Sequence, residues 1–289
     1  MRSTVLPLTR SLGPLEILDA AVWFARDHFA AWAVTAAAAP LAFALALTGY
    51  VTACLRLADT PGGSAASTLV VHGGALLLAA LFVARGLSHA AAVEYLRAQV
   101  YGERHTPEGC WLPALRRAAD HAFFTGWLST LQWLGLAAGV YPGLAYVNAN
   151  GLAQSAAIFE DLPAPRALRR SRELMKGNIA GMGIWGGLLL AWAVLFANAL
   201  CFGAFMPDFA RSFLGLSFPR IEHLVSPKNG TFVMMSAACS WALCDALRAI
   251  AFAILYMNAR IEREGSDLHA RLEHGSERRR VERPEAANA

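Results

Sequence analysis

Five stretches of this chain are long, apolar and almost free of charge, and they constrain its fold more than any other feature. They cover residues 30–54, 67–84, 122–159, 178–206 and 231–258. A bilayer core is about 30 Å thick, and about 20 mostly apolar helical residues cross it. The charged residues are only 16% of the chain, against about 25% in an ordinary soluble domain, and they cluster between these stretches. This pattern excludes a soluble globular enzyme, a disordered chain and a nucleic-acid binder, and it predicts a multi-pass membrane protein.

The stretch at 122–159 is too long for one crossing, since its 38 residues would form about 57 Å of helix. Pro142 and Gly143 form a strong turn signal near its middle, so we predict a helix break there. Cytoplasmic loops collect Lys and Arg. With two crossings and a cytoplasmic N-terminus, 20 of the 25 Lys and Arg residues fall inside and four outside, whereas one crossing gives 11 inside and 13 outside. Charge placement therefore favours two crossings.

The predicted fold class is an all-α polytopic transmembrane helix bundle with six spans in three hairpins. The spans are 30–54, 67–84, 122–140, 143–159, 178–206 and 231–258. Residues 1–265 form one integral membrane domain, residues 266–289 form a charged cytoplasmic tail, and both termini are cytoplasmic. The helical pattern of the second span continues past Arg85 towards Val100, where we expect it to enter water.

A cytoplasmic amphipathic helix is predicted before each hairpin, at residues 15–28, 113–121 and 165–176. The third helix ends at Gly177, a residue typical of helix C-caps. It carries Arg166, Arg169, Arg170, Arg172 and Lys176. These charges either set the topology or bind anionic lipid headgroups, which attract such residues by about 1 kcal/mol each, or a protein partner.

Asp245 and Arg248 are charged residues inside the predicted sixth span, where an unpaired charge costs several kcal/mol. Their spacing of three residues lets them pair on one helix face. They form either a polar site or ion path, or a mutually neutralising pair that orients the helix. No other ionisable residue lies clearly in the core of a second span, and His72 is the nearest candidate partner.

Polar and small residues in two other spans predict helix contacts. Asn148, Asn150, Gln154 and Ser155 form a candidate interhelical polar face in the fourth span, because polar side chains in lipid need partners on other helices. The same residues are an alternative lining for a substrate cavity. Gly183 and Gly187 form a small-xxx-small pattern typical of close helix packing, within the bundle or in a dimer.

Catalytic motifs are absent from the sequence. It contains no GxSxG, no HExxH and no Gly-rich loop ending in GK[ST], which are the usual signatures of hydrolases, metalloproteases and nucleotide-binding enzymes. The five cysteines include no CxxC and no zinc-ligand spacing. We therefore expect no enzyme activity, no metal and no cofactor.

Three segments together carry a family resemblance: LGPLEILDAAVWFARDHF at 12–29, YPGLAYVNANGLAQSAAIFEDLPAPRALRRSRELMKGN at 141–178 and AILYMNARIEREGSDL at 253–268. The chain resembles bacterial six-span proteins that are similar to the membrane domain of some glycerophosphoryl diester phosphodiesterases. In that group a Pro-Gly break, a Glu closing the fourth span and a basic helix recur in order, matching Pro142-Gly143, Glu160 and residues 167–177. The terminal pattern of the group matches residues 256–268.

The resemblance implies a membrane layout and a place in the bacterial inner membrane, but no activity, since the catalysis of the fused proteins belongs to a separate soluble domain. We expect a non-catalytic scaffold or accessory component of an envelope complex. Its partners are then the lipid bilayer, anionic headgroups and other membrane proteins. The alternative is a small-solute or lipid transporter that uses the polar fourth and sixth spans.

Overall fold

The computed structural model of the chain describes residues 11–58, 65–103, 105–215 and 219–265. This part of the chain is 88% helical and contains no strand, so the all-α fold class is confirmed. The predicted charged tail at 266–289 lies outside the described residues.

Thirteen α-helices follow one another along the described ranges. They are α1 (Pro14–Asp27), α2 (Phe29–Trp32), α3 (Ala38–Ala58), α4 (Ala65–Tyr101), α5 (Trp111–Arg116), α6 (Ala118–Phe123), α7 (Ser129–Ala138), α8 (Val140–Asn150), α9 (Ala153–Phe159), α10 (Ala164–Met175), α11 (Ala180–Leu214), α12 (Pro219–Leu224) and α13 (Gly230–Glu264). Two π-helical segments, Ala33–Ala37 and Phe124–Leu128, join α2 to α3 and α6 to α7, and a 3-10 turn, Glu108–Cys110, precedes α5.

Four helical stretches in the described ranges are long and apolar enough to cross a membrane: Phe29–Leu57, Val70–Tyr101, Ala180–Phe213 and Gly230–Glu264. They contain the predicted first and sixth spans, 30–54 and 231–258, and overlap most of the predicted second and fifth spans, 67–84 and 178–206. Large apolar side chains such as Leu76, Leu190 and Phe213 are exposed on them, as expected for surfaces that face lipid. These helices identify the chain as a membrane protein.

Helix α13 lies at the centre of the bundle. It packs against α1, α3, α4 and α11. The most apolar 18 residues of this helix are 67% buried, compared with 11% for those of the stretch Ala180–Phe213. Ionisable residues within a membrane helix face the interior of the bundle, and α13 carries Asp245 and Arg248. The central helix is therefore the predicted sixth span.

Helix α4 extends past the predicted end of the second span and reaches Tyr101. The expectation that this extension enters water was wrong. Residues from Leu87 to Ala98 are largely buried, because α5, α6 and α9 pack around this half of α4.

Helices α7 and α8 form a close pair, and the break between them is at Gly139. The prediction of a break at Pro142 and Gly143 was wrong by three residues. Gly139 has φ +144°, a conformation that favours glycine. Pro142 lies instead in the first turn of α8, where a backbone N–H has no helical partner in any case. A Cβ on Gly135 would lie only 2.8 Å from Cα of Gly143, so both glycines allow the helices to approach closely.

Helix α1 packs along the glycine face of α11 and against α13. A Cβ added to Gly183 would lie 3.0 Å from Cβ of Pro14, and one added to Gly187 would lie 2.4 Å from Cδ1 of Leu18. At the start of α1, the backbone N–H of Leu12 donates to Oδ1 of Asn258 at 2.7 Å. The predicted packing glycines thus face an amphipathic helix of the same chain.

The other two amphipathic helices are also present. The second is split into α5 and α6 at Arg117, whose φ of −115° departs from helical values. The third is α10, which is followed by Gly177 at φ +78°. Both pack on the same end of the bundle, against α4 and α8 respectively.

Candidate functional site

A buried ion pair joins α4 to α13. Arg85 donates from Nε to Oδ2 of Asp245 at 2.6 Å and from Nη2 to Oδ1 at 2.8 Å, which is the bidentate geometry that guanidinium and carboxylate groups favour. The side chain of Arg85 is 8% exposed and that of Asp245 is 1% exposed. Arg85 lies 15 residues after Val70, and Asp245 lies 15 residues after Gly230. At 1.5 Å a residue, each is about 22 Å along its helix from that position.

Two further side chains complete this buried charge cluster, which we define as Arg85, His89, Asp245 and Arg248. Arg248 donates from Nε to Oδ1 of Asp245 at 3.0 Å. Nε2 of His89 lies 3.1 Å from Oδ2 of Asp245, although it is not aligned for a hydrogen bond. Nδ1 of His89 lies 3.4 Å from Nη2 of Arg248. The predicted pair therefore belongs to a cluster of four that spans two helices.

Arg85 and His89 were not predicted as site residues, although the sequence contains a pattern that indicates them. Ser88 and His89 follow Arg85 by three and four residues within a continuous apolar helix. Both therefore lie on the same helix face as Arg85. The predicted second span ends just before Arg85 because a hydropathy average treats arginine as charged. It takes no account of a carboxylate elsewhere in the chain that neutralises the charge. His72, the candidate partner that the sequence suggests, is exposed, and its Nδ1 lies 2.9 Å from the carbonyl of Thr68.

Both π-helical segments pack against α4 beside the cluster. Oγ of Ser88 donates to the carbonyl of Thr35 at 2.6 Å. A Cβ on Gly86 would lie 2.0 Å from Oγ1 of Thr125, so only glycine fits there. The side-chain amide of Gln154 donates to the carbonyl of Gly86 at 3.1 Å. Single π-helical turns are frequent at functional sites, and here two of them converge on one segment.

A cavity of about 40 Å³ adjoins the cluster. It lies between α4 and α13 on one side and the α7–α8–α9 segment on the other. A water needs about 10–15 Å³ measured in the same way, so the cavity is large enough for a few waters or a small polar group. Its lining residues are His89, Phe124, Thr125, Leu128, Ser129, Gln132, Tyr146, Val147, Asn150, Gly151, Gln154 and Arg248.

The predicted polar face of the fourth span is divided between helix contacts and this cavity. Asn148 donates to the carbonyl of Asn178 at 2.7 Å and accepts from the backbone N–H of Met182 at 3.2 Å, so it ties α8 to the start of α11. Asn150 and Gln154 line the cavity. Ser155 is buried and is not among the lining residues.

The basic residues of α10 also divide into two groups. Arg170 donates from Nε to Glu160 at 2.9 Å, and Arg172 donates from Nε to Oδ1 of Asn150 at 2.9 Å. Arg166, Arg169 and Lys176 are exposed, with Arg169 paired to Glu173 one turn away.

Residues from two separate parts of the chain, 160–170 and 256–264, meet in one network at this end of the bundle. Glu160 accepts from Oη of Tyr256 at 2.6 Å and from Arg170. Arg170 also contacts Glu264, which accepts from Nε of Arg260 at 3.0 Å. The network joins the end of α9, α10 and the end of α13.

Within the described ranges, no group of three or more His, Cys, Asp or Glu side chains is placed to hold a metal ion. No family model, curated protein or solved structure matches the chain. The geometry of the buried charge cluster and its cavity is therefore the basis for the proposals below.

Proposed function

We propose that the chain crosses the bacterial cytoplasmic membrane six times, as three hairpins with both termini cytoplasmic. Three pairs of consecutive segments pack together, α3 with α4, α7 with α8, and α11 with α13. The helical path at 122–138 and the one at 140–159 are 17 and 20 residues long, or about 26 and 30 Å. These lengths are sufficient for a thin and a typical bilayer core, which supports two crossings beyond the four long helices.

The decisive test of this topology is the side on which the α7–α8 turn lies. Tyr141 is 74% exposed, so Tyr141→Cys in a cysteine-free background should react with a membrane-impermeant maleimide added to intact spheroplasts. Arg166→Cys is the companion variant, because it is cytoplasmic when 122–159 crosses twice or not at all and outside only when it crosses once. Labelling of Tyr141→Cys only after lysis would reduce the topology to four spans. Labelling of Arg166→Cys in intact spheroplasts would leave one crossing at 122–159.

We also propose kinship with the membrane domain of glycerophosphoryl diester phosphodiesterases. The convergence of Glu160, Arg170 and Tyr256 in one network supports it, because these residues come from separate parts of the recognised pattern. Pattern residues that contact one another are stronger support for kinship than pattern residues that lie apart. Exchanging α9–α10 with that segment of such a domain should give a folded chimera, and loss of folding would count against kinship.

For molecular function, we propose a non-catalytic carrier that holds a small solute or a lipid headgroup in the bundle interior. The observation that carries the proposal is the cavity, where polar residues of the predicted fourth span, Asn150 and Gln154, face Arg248 of the sixth. Polar and ionisable groups inside a membrane typically mark substrate or ion pathways.

Proteoliposomes provide the test of carrier function. Stopped-flow light scattering would follow entry of glycerol, potassium acetate and potassium phosphate, and dithionite quenching would follow movement of a fluorescent phosphatidylglycerol between leaflets. The wild-type chain should accelerate at least one of these. Gln132→Leu, in the cavity, should abolish the acceleration, whereas Asn198→Leu, on the exposed side of α11, should keep it. Equal effects of the two variants, or no acceleration at all, would reject the carrier.

The second candidate is a scaffold or accessory component of an envelope complex, with anionic headgroups and other membrane proteins as partners. The exposed basic residues Arg166, Arg169 and Lys176 on α10 favour it. A stoichiometric partner recovered in mild detergent should be lost on Arg166→Glu/Arg169→Glu and kept on Arg116→Glu, an exposed basic position on α5. Repeated recovery of the chain alone would reject the scaffold.

A further inference from the structure

The buried charge cluster has more positive than negative charge. Arg85 and Arg248 each bring a guanidinium, which stays charged in proteins, and Asp245 brings the only carboxylate of the cluster. None of the residues that line the adjoining cavity is acidic. A buried charge without a counter-charge is unfavourable, so the cluster has room electrostatically for one anion.

Arg248 carries the uncompensated charge. Arg85 uses Nε and Nη2 on the two oxygens of Asp245 and lines no part of the cavity. Arg248 gives Asp245 only its Nε, while its Nη2 has a long 3.4 Å contact with His89. Its side chain is 22% exposed and lines the cavity. Guanidinium N–H groups of Arg248 are therefore available to a cavity ligand.

Neutral donors surround the same space. Oη of Tyr146 is buried, and the neighbouring indole of Trp127 is not aligned for a hydrogen bond to it. Ser129 and Gln132 are about 5% exposed and line the cavity with it. A buried polar atom without a partner is rare and requires an explanation, such as a bound water or ion.

We propose that the cavity binds a small oxyanion of the phosphate type, either a free ion or the phosphate of a lipid headgroup. Arg248 supplies the cationic contact and Tyr146 a neutral donor, while the Arg85–Asp245 pair holds Arg248 in place. The inference rests on the proposed carrier function only in using the same cavity, because binding can be measured without transport.

Calorimetry on the full chain in dodecylmaltoside tests the proposal, with inorganic phosphate as the first probe and monomeric dihexanoyl phosphatidylglycerol as the second. Binding should be saturable at one ligand a chain. Arg248→Gln should weaken it at least about 10-fold, as expected for a lost charge-assisted contact, and Tyr146→Phe by a smaller factor. Arg166→Gln, which changes an exposed arginine that does not line the cavity, should leave the affinity unchanged.

The two probes separate the sources of the oxyanion. Binding of inorganic phosphate indicates a free ion, and binding of the lipid alone indicates a headgroup; both outcomes support the proposal if Arg248→Gln removes them. Tyr146→Phe keeps every charge, so it remains informative if Arg248→Gln fails to fold. Absence of binding by both probes, or binding that neither variant weakens, overturns the proposal. Flux of glycerol without phosphate binding would support the carrier function and reject the oxyanion site. Phosphate binding without any flux would support the oxyanion site and reject the carrier function.

Discussion

Replacement of Asp245 with Asn is expected to be among the most destabilising single changes in this protein. The carboxylate is 1% exposed and contacts two guanidinium groups, those of Arg85 and Arg248. Asparagine keeps the shape but removes the only negative charge of the cluster, so two buried cations are left facing each other. Removing one partner of a buried ion pair costs about 3–5 kcal/mol, and two stranded cations place this variant at the upper end of that range.

Charge counting predicts the order of the other variants. Arg85→Gln leaves Asp245 paired with Arg248, and Arg248→Gln leaves it paired with Arg85, so in each variant one carboxylate faces one guanidinium. We expect each to cost about 1–3 kcal/mol, the range for lost hydrogen bonds to charged groups. In the Asp245→Asn background, Arg85→Gln removes a cation that repels Arg248. There it should lower the free energy of unfolding far less than it does in the wild type, or even raise it.

The free energy of unfolding in mixed dodecylmaltoside and SDS micelles, followed by tryptophan fluorescence, measures all four states of this double-mutant cycle. The expected coupling between the two substitutions is at least about 2 kcal/mol, within the range seen for residues in one network. A loss below about 1 kcal/mol for Asp245→Asn, or costs that simply add in the double variant, would refute the idea that this pair holds α4 to α13.

Three further predictions concern other parts of the fold. Gly187→Leu should cost about 1–3 kcal/mol through overpacking against Leu18 of α1, whereas Gly186→Leu should cost little because a Cβ there has no atom within 4 Å; SDS unfolding of both variants checks this, and equal losses would contradict the α1–α11 contact. Burial, with help from a neighbouring arginine, lowers the pKa of His121 to about 4, so the neutral ring contributes stability that is full above pH 6.5 and falls by about 3 kcal/mol as the pH drops towards 4. His121→Gln should flatten that part of the pH profile, and an unchanged profile would count against a buried neutral histidine. Asn229→Ala should cost about 1 kcal/mol, because Oδ1 of Asn229 accepts from the first turn of α13 at 3.0 Å; an unaffected free energy of unfolding would show that this cap is dispensable.

The four long apolar helices were predictable from the sequence because each is defined by a local property, a run of apolar residues with little charge. The amphipathic helices were predictable for the same reason, since helical periodicity is local. The position of Arg85 was not, because its burial depends on a carboxylate 160 residues away. A single sequence gives no measure of such a distant contact.

The α7–α8 turn shows a second limit. Pro142 and Gly143 gave the stronger local signal, yet the chain turns at Gly139. Proline is equally suited to the first turn of a helix, and Gly143 is needed for the close approach to Gly135. Local turn chemistry therefore located the hairpin to within one helical turn, and packing between the two helices decided the residue.

The separation of Arg85 and Asp245 has a consequence for biogenesis. A ribosome adds about 5–20 residues a second, so Arg85 is made roughly 8–32 s before its carboxylate exists. During that interval the guanidinium has no counter-ion in lipid, and its long side chain favours reaching back to the cytoplasmic interface. We therefore expect helix α4 to take up its final depth only once α13 has been inserted. In a chain that stops before Asp245, Arg85 has no carboxylate to bind, so we expect α4 to be held less firmly in such copies than in complete ones.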